Sequence, residues 1–421
     1  MLDKILHDLS YLQIGLVLFI AWLLHGIVKG AADERRIKEL GGRAAKRKGW
    51  APYGLDLLFD ALKSAAKNQV LEFWLRNFSV YGNPSNPWTV EAGDGPRRIV
   101  LTTDPENIKA ILATQFQDYG KGENFNKDWH DFLGDSIFTT DGEKWHNSRQ
   151  LIRPQFIKDR LSDIKVFEKH VKVLLPMLGG NGEVVNVADL FFRYTLDAAT
   201  DFLLGRSVDS LTHEQVRFAK SFNEVQHIQS IIARMGYWNQ LLPRKKFHKE
   251  LKVINEFVNT FIDDTLRLSP EELQKTTKSD EGYTFLHALA SYTRDRNVLR
   301  DQLVAVLLAG RDTTACTLSW TFYELSRHPQ VVGKLRQEML QQVGASRMPT
   351  YADLKNMKYL QVCCTPISVS PSRLNFCVAH DERGATTLPC NSIQRPPCAQ
   401  GHHTPSRRWT RRQSTHGCPQ R

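Results

Sequence analysis

Apolar residues recur at helical spacing through residues 300–328, RDQLVAVLLAGRDTTACTLSWTFYELSRH, at Leu303, Val306, Leu307 and Gly310 and again at Leu318, Phe322 and Leu325. This period predicts one continuous helix of about seven to eight turns, long enough to cross a whole domain. Arg311 and Asp312 interrupt the stripe and its purely apolar part covers only residues 303–310, too short to span a membrane.

The same reading along the rest of the chain predicts a mainly α protein with a small β unit. A helix is expected over 57–66. Trp88-Thr89-Val90-Glu91 and Arg98-Ile99-Val100-Leu101-Thr102 flank Gly93-Asp94-Gly95-Pro96 and predict two paired strands. Asp104-Pro105 supplies a cap and first-turn pair for a helix through Ile111. Residues 164–281 read as helix after helix, with Pro243-Arg244-Lys245-Lys246-Phe247 as a basic loop. After the long helix, His328-Pro329 starts another over 331–343, and Thr350 caps a last one over 351–361.

Residues 11–28, YLQIGLVLFIAWLLHGIV, form an apolar run of 18 interrupted only by Gln13 and His25, near the minimum that crosses a bilayer. No small-residue cleavage site follows. Lys29, Arg35, Arg36, Lys38, Arg43, Lys46, Arg47 and Lys48 come instead, and the excess of positive charge puts this side in the cytosol. Residues 1–29 therefore read as an uncleaved, single-pass signal anchor, followed by a basic linker and hinge at 30–52. A buried core helix is the alternative. In the anchored topology the sequon Asn77-Phe78-Ser79 stays unmodified.

The middle of the long helix carries residues that packing alone does not call for. Gly310 costs about 1 kcal/mol relative to Ala. Thr313 and Thr314 are poor helix formers able to bond back to a carbonyl one turn earlier, and Asp312 adds a carboxylate beside them. Such a cluster suits a local widening of the helix where a small ligand approaches. A satisfied polar notch in a core helix is the plainer reading.

Ala309-Gly310-Arg311-Asp312-Thr313-Thr314 resembles the [AG]-G-x-[DE]-T-[TS] signature of the distal helix in cytochrome P-450 monooxygenases. The resemblance implies that Ala309 and Gly310 lie over the face of haem b, with Asp312 and Thr313 as the acid–alcohol pair that relays protons. Trp145 and Arg149, four residues apart within Asp141-Gly142-Glu143-Lys144-Trp145-His146-Asn147-Ser148-Arg149, share one helix face and resemble the family's W-x-x-x-R helix, continued by Arg153-Pro154-Gln155-Phe156. In that family the two side chains donate to a haem propionate, which suits an indole N–H and a guanidinium. Alone, such a pair reads as a surface cation–π contact.

The likeness weakens after residue 361. The helix that begins at Tyr351 should carry the family's E-x-x-R. The chain reads Val362-Cys363-Cys364-Thr365-Pro366-Ile367-Ser368-Val369 instead, and Pro366 is expected to break the helix. Short echoes return at Arg373-Leu374-Asn375-Phe376 and Thr386-Thr387-Leu388-Pro389. The haem-thiolate loop F-x-x-G-x-R-x-C-x-G does not occur around Cys390, Cys398 or Cys418, so no axial metal ligand is assigned. A reading frame that slips near Val362, recovers near Arg373 and slips again after Pro389 accounts for this pattern.

Composition sharpens that division. The net charge of +11 is uneven, because residues 361–421 hold eight Arg and no Lys against two acids. Six of the seven cysteines also fall there, leaving Cys316 alone in the first 360 residues, which argues for a reducing compartment. Residues 53–361 thus read as an incomplete, truncated P-450-like domain and 362–421 as an aberrant, disordered tail. A zinc site at Cys398, His402 and His403 is disfavoured by the missing paired cysteines. No nucleic-acid partner is expected.

Three functional readings remain. The first is a haem monooxygenase of the endoplasmic reticulum membrane, resembling fungal alkane and fatty-acid hydroxylases. The resemblance implies a lipophilic substrate and electrons from NADPH-cytochrome P-450 reductase. The second is a non-catalytic remnant, because E-x-x-R and the Cys loop are absent. The third is a membrane adaptor that uses Arg407, Arg408, Arg411 and Arg412 around Trp409.

Overall fold

The computed structural model describes residues 11–39, 44–51, 54–83, 87–94, 97–156, 164–180, 182–213, 216–273 and 284–369. The expected tail beyond 369, including the late cysteines, lies outside them. The described residues are mainly helical with a three-stranded sheet.

An exposed N-terminal helix, α1 (Tyr11–Glu39), leads into the body of the chain. It is long and apolar enough to cross a membrane by length and composition. It does not stop at residue 29. The helix continues through the basic segment to Glu39, since the Lys and Arg side chains there are good helix formers facing solvent. Strand β1 (Ala45–Lys46) follows and pairs in parallel with β2 (Thr89–Asp94), which pairs antiparallel with β3 (Arg97–Thr102). Two residues of the expected basic linker, Ala45 and Lys46, are therefore paired into the sheet. Arg47 is buried, ion-paired with Asp56 and, at 2.8 Å, with Asp60.

Helices α2 (Leu55–Ala66) and α3 (Val70–Tyr81) pack beside the sheet around Leu57, Phe73 and Ala92. Asn77 of the sequon is buried in α3, its Nδ2 donating to the Phe73 carbonyl at 2.7 Å. Asp104 caps α4 (Pro105–Lys109) as expected, its carboxylate accepting the Glu106 N–H, and a π turn over Ala110–Thr114 extends it.

The core lies among α5 (Glu123–Leu133), α6 (Gly142–Ile152), α7 (Lys165–Met177), α8 (Val187–Leu204), α9 (Arg217–Met235), α10 (Lys245–Arg267), α11 (Phe285–Tyr292) and α12 (Arg296–Arg327). Phe132, Phe222, Phe247, Ile254, Phe285 and Val304 are its fully buried centre. Phe247 corrects the expected basic loop. Lys245 opens α10, and burial of Phe247 pulls this segment into the helix while Lys246 reaches Glu224 at 2.6 Å.

The long helix α12 begins at Asp295, whose carboxylate accepts the N–H groups of Asn297 and Val298. Leu299, Gln302, Leu303, Val304, Ala305 and Leu307 are buried almost all round, with α8, α10, α11 and α5 as neighbours. Past Gly310 burial becomes one-sided. The helix is regular through this point, with no widening at Gly310, because the Thr313 hydroxyl closes onto the Ala309 carbonyl at 2.7 Å without displacing the backbone.

Pro329 opens α13 (Pro329–Gln342), and Thr350 with Asp353 forms a reciprocal cap on α14 (Tyr351–Asn356). The chain turns at Met357 and continues as α15 (Lys358–Val369). Pro366 does not break α15. It sits in the last turn, where its missing N–H costs only the partner of the Val362 carbonyl, and Val362 is exposed to water.

Candidate functional site

Within α12 the side chains of residues 309–315 divide between two faces. Gly310, Thr313 and Thr314 are exposed, and a Cβ added at Gly310 would meet nothing within 4 Å. On the other face Arg311 is buried, donating to Asn223 Oδ1 and, at 2.8 Å, to Gln226 Oε1 of α9. Its guanidinium lies 5.4 Å from the rings of both Phe192 and Phe222. Burial pulls the Arg311 pKa below its usual value, opposed by the charges of Asp312 and Asp189. Gln226 also donates from Nε2 to the Asp312 carboxylate, which lies 3.4 Å from Arg311.

Asp312 and Thr313 therefore serve different neighbours. The carboxylate is engaged by α9 and Arg311, while the hydroxyl rests on the helix's own backbone, facing the open side. Consecutive helical residues point about 100° apart, so the pair spans the boundary between the buried and open faces.

Trp145 and Arg149 lie on α6. Trp145 is half-buried and Arg149 exposed, its Cζ 5.4 Å from the Trp145 ring, with the Phe116 ring tilted against the indole at 5.5 Å. The residue before α6, Asp141, accepts the backbone N–H groups of Lys121 and Gly122 at 2.9 and 2.8 Å. Between them, Ser148 is buried and accepts a hydrogen bond from Gln302 Nε2 of α12 at 3.0 Å. Ala309 and Thr313 follow Gln302 by 7 and 11 residues, so all three fall within about 20° of one helix face. Ser148 thus packs on the face of α12 that carries Ala309 and Thr313, displaced along the axis by about 10 and roughly 16 Å.

The groups suited to a haem are divided in the same way. The open side of Gly310 leaves room for a flat ligand, and the Trp145 indole N–H with the Arg149 guanidinium suits an anionic edge. On the metal side, no group of three or more His, Cys, Asp or Glu among the described residues is arranged to hold an ion, and Cys363 is a free thiol. The residues around Gly310 and on α6 suit such a group by their chemistry, and no axial ligand is assigned among the described residues.

Sequence reasoning missed Asn223, Gln226, Ser148 and Gln302. One signal was present: Gln302 is a polar residue inside the apolar stripe of Leu299, Leu303 and Val306, a position that a lone amide occupies only with a partner.

The cytochrome P450 family model matches residues 59–365, most of the chain. This chain belongs to the cytochrome P450 family. It is 46% identical over 360 residues to the cytochrome P450 monooxygenase pvhE of Talaromyces variabilis, covering 82% of this chain and 66% of that protein. It is 38% identical over 360 residues to cytochrome P450 52A12 of Debaryomyces hansenii, covering 80% of this chain and 67% of that protein. With cytochrome P450 52A4 of Candida maltosa the figures are 40% over 320 residues, covering 69% and 56%. The chain thus spans about two thirds or less of the length of these fungal relatives. As a member of the family it is similar to monooxygenases whose cofactor is haem.

Proposed function

We propose that this chain comes from a membrane-anchored haem monooxygenase that hydroxylates a lipophilic substrate such as an n-alkane or a fatty acid. In this reading residues 1–29 anchor it in the endoplasmic reticulum membrane in a single pass, residues 30–52 join anchor to domain, and residues 53–361 form the cytosolic domain. NADPH-cytochrome P-450 reductase supplies two electrons. With two protons taken up, one oxygen atom of O₂ enters the C–H bond and the other leaves as water.

Haem b supplies the oxygen-activating chemistry when bound. This chain's own residues grip its edge and face. The Arg149 guanidinium and Trp145 N–H hold a propionate, and Ala309 and Gly310 keep the distal side clear. The Thr313 hydroxyl holds a proton at Oγ1, with Asp312 one helix position away to return it from the α9 side. An exposed apolar helix at the N-terminus keeps the domain next to the lipid phase from which such substrates partition.

The observation that carries this reading is the placement of Ser148 against Gln302, on the α12 face of Ala309 and Thr313. A carbon-monoxide difference spectrum of the reduced, expressed chain tests it. A Soret band of thiolate ligation supports a monooxygenase.

A second reading rests on the thiolate loop, which residues 1–421 do not contain. It makes the chain a non-catalytic remnant whose frame slips near Val362, recovers near Arg373 and slips again after Pro389. The absence of that Soret band, with E-x-x-R and the Cys loop found in another frame of the coding DNA after codon 361, favours it.

A further inference from the structure

Two consecutive residues of α12 reach two different points, one ahead of the Trp145–Arg149 pair and one between its members. Asp301 Oδ2 accepts the N–H of Asp135 at 2.8 Å, and Gln302 Nε2 donates to Ser148 Oγ at 3.0 Å. Arg300 adds contacts to Asp131 O at 3.3 Å and to Asn255 Oδ1 at 3.0 Å. We infer that Asp301 and Gln302 are positioning residues: together they fix α6, and with it Trp145 and Arg149, against the α12 face that carries Ala309 and Thr313.

The loop between the two attachments is stiff enough to transmit the first. Gly134, at φ 54°, lies so close to Asp301 that a Cβ there would fall 2.0 Å from its carboxylate. Thr139 Oγ1 donates to the Gly134 carbonyl at 2.6 Å and accepts the Ser136 N–H at 3.0 Å, and Thr140 Oγ1 donates to the Ser136 carbonyl at 2.8 Å. Ser136, Thr139 and Thr140 are all buried. The loop ends at Asp141, where α6 begins.

A helix held at one point can still roll about its axis. Attached at its start through Asp301 and in its middle through Ser148, α6 has one rotational setting, and Trp145 lies between the two points. Packing alone does not explain the choice of Gln302. It is 1% exposed, and its Oε1 finds no hydrogen-bond partner, so an apolar residue of the same size would suit the core better. The amide brings direction instead.

The inference rests on the haem reading for its purpose but not for its geometry, and the test separates the two. The full chain in detergent micelles is compared with Gln302→Leu, Ser148→Ala and the double variant, by amide exchange and by titration with haemin and with haemin dimethyl ester. The clamp predicts that exchange in residues 142–152 rises about fivefold in each single variant, no further in the double, and not at all in Lys165–Met177. The haem reading adds that the unaltered chain should prefer haemin over its ester and that both variants should lose this preference. Unchanged exchange in 142–152, or a rise shared equally by Lys165–Met177, overturns the clamp. Equal binding of both porphyrins by the unaltered chain, with the local rise in exchange intact, supports the clamp and removes the haem reading.

Discussion

The guanidinium of Arg149 stands 5.4 Å from the centre of the Trp145 ring, one helical turn away on α6. Such a stack at an exposed position contributes about 0.5–1 kcal/mol to the fold, whereas a hydrogen bond from a charged group to an anion contributes about 1.5–3 kcal/mol. The Arg149→Ala variant should therefore melt within a few degrees of the unaltered chain. Its haemin affinity, read by absorbance titration, should fall by roughly tenfold or more.

Gln226 uses both ends of its amide, the oxygen on Arg311 and the nitrogen on Asp312. Gln226→Leu leaves the buried Arg311 and the half-buried Asp312 each short of one bond, at about 1.5–3 kcal/mol apiece. The urea midpoint should drop accordingly, while Thr314→Ser on the open face changes stability by less than about 0.5 kcal/mol.

Much of this architecture is legible in the sequence, for physical reasons that also set its limits. The apolar period announces α12, and the Asp104-Pro105 and Thr350 caps mark α4 and α14, because these signals are local. The Ala309–Thr314 signature and Trp145 with Arg149 are legible as family likeness. The bond that relates them is not, since Ser148 and Gln302 are 154 residues apart. The same holds within the expected basic linker, where the two-residue strand Ala45–Lys46 pairs with β2 far along the chain and Arg47 finds Asp56 and Asp60. At Gly310 the sequence argues for a distorted backbone. A threonine back-bond, which leaves α-helical geometry intact, satisfies the same residues.

Arg47 makes that junction testable. Its side chain is 5% exposed and that of Asp56 2%, and a Cβ at Gly49 would come within 2.7 Å of the Asp56 carboxylate. Arg47→Met strands Asp56 in the interior and should cost about 3–5 kcal/mol. The double change Arg47→Met with Asp56→Leu should recover most of that loss. Limited proteolysis between residues 44 and 51 reads the outcome: rapid cleavage for the single variant, resistance for the double.

Asp201 links α8 to α7 through His170 Nε2 at 2.9 Å and Lys169 Nζ at 2.7 Å. The hydrogen bond from His170, and then that from Lys169, hold its carboxyl below the usual carboxylate range despite burial. A carboxyl lowered on folding contributes stability that is full above its unfolded pKa and lost as pH falls through the folded value. The unaltered chain should therefore lose more stability than Asp201→Asn between about pH 4.5 and pH 3. Parallel melting curves across that window would contradict the assignment.

The central claim is that the open face of α12 at Gly310 lies against a porphyrin. Because Gly310 is exposed and a Cβ added there would meet nothing within 4 Å, Gly310→Leu should leave the fold intact and gain about 0.8 kcal/mol in helix propensity. Any loss of porphyrin binding in that variant therefore reports the ligand's position and not damage to the protein. The measurement is a haemin titration of the full chain beside Gly310→Leu, with melting temperatures recorded for both. The account predicts an unchanged or higher melting temperature with haemin affinity reduced at least tenfold. A Gly310→Leu chain that melts normally and binds haemin as tightly as the unaltered one would contradict it.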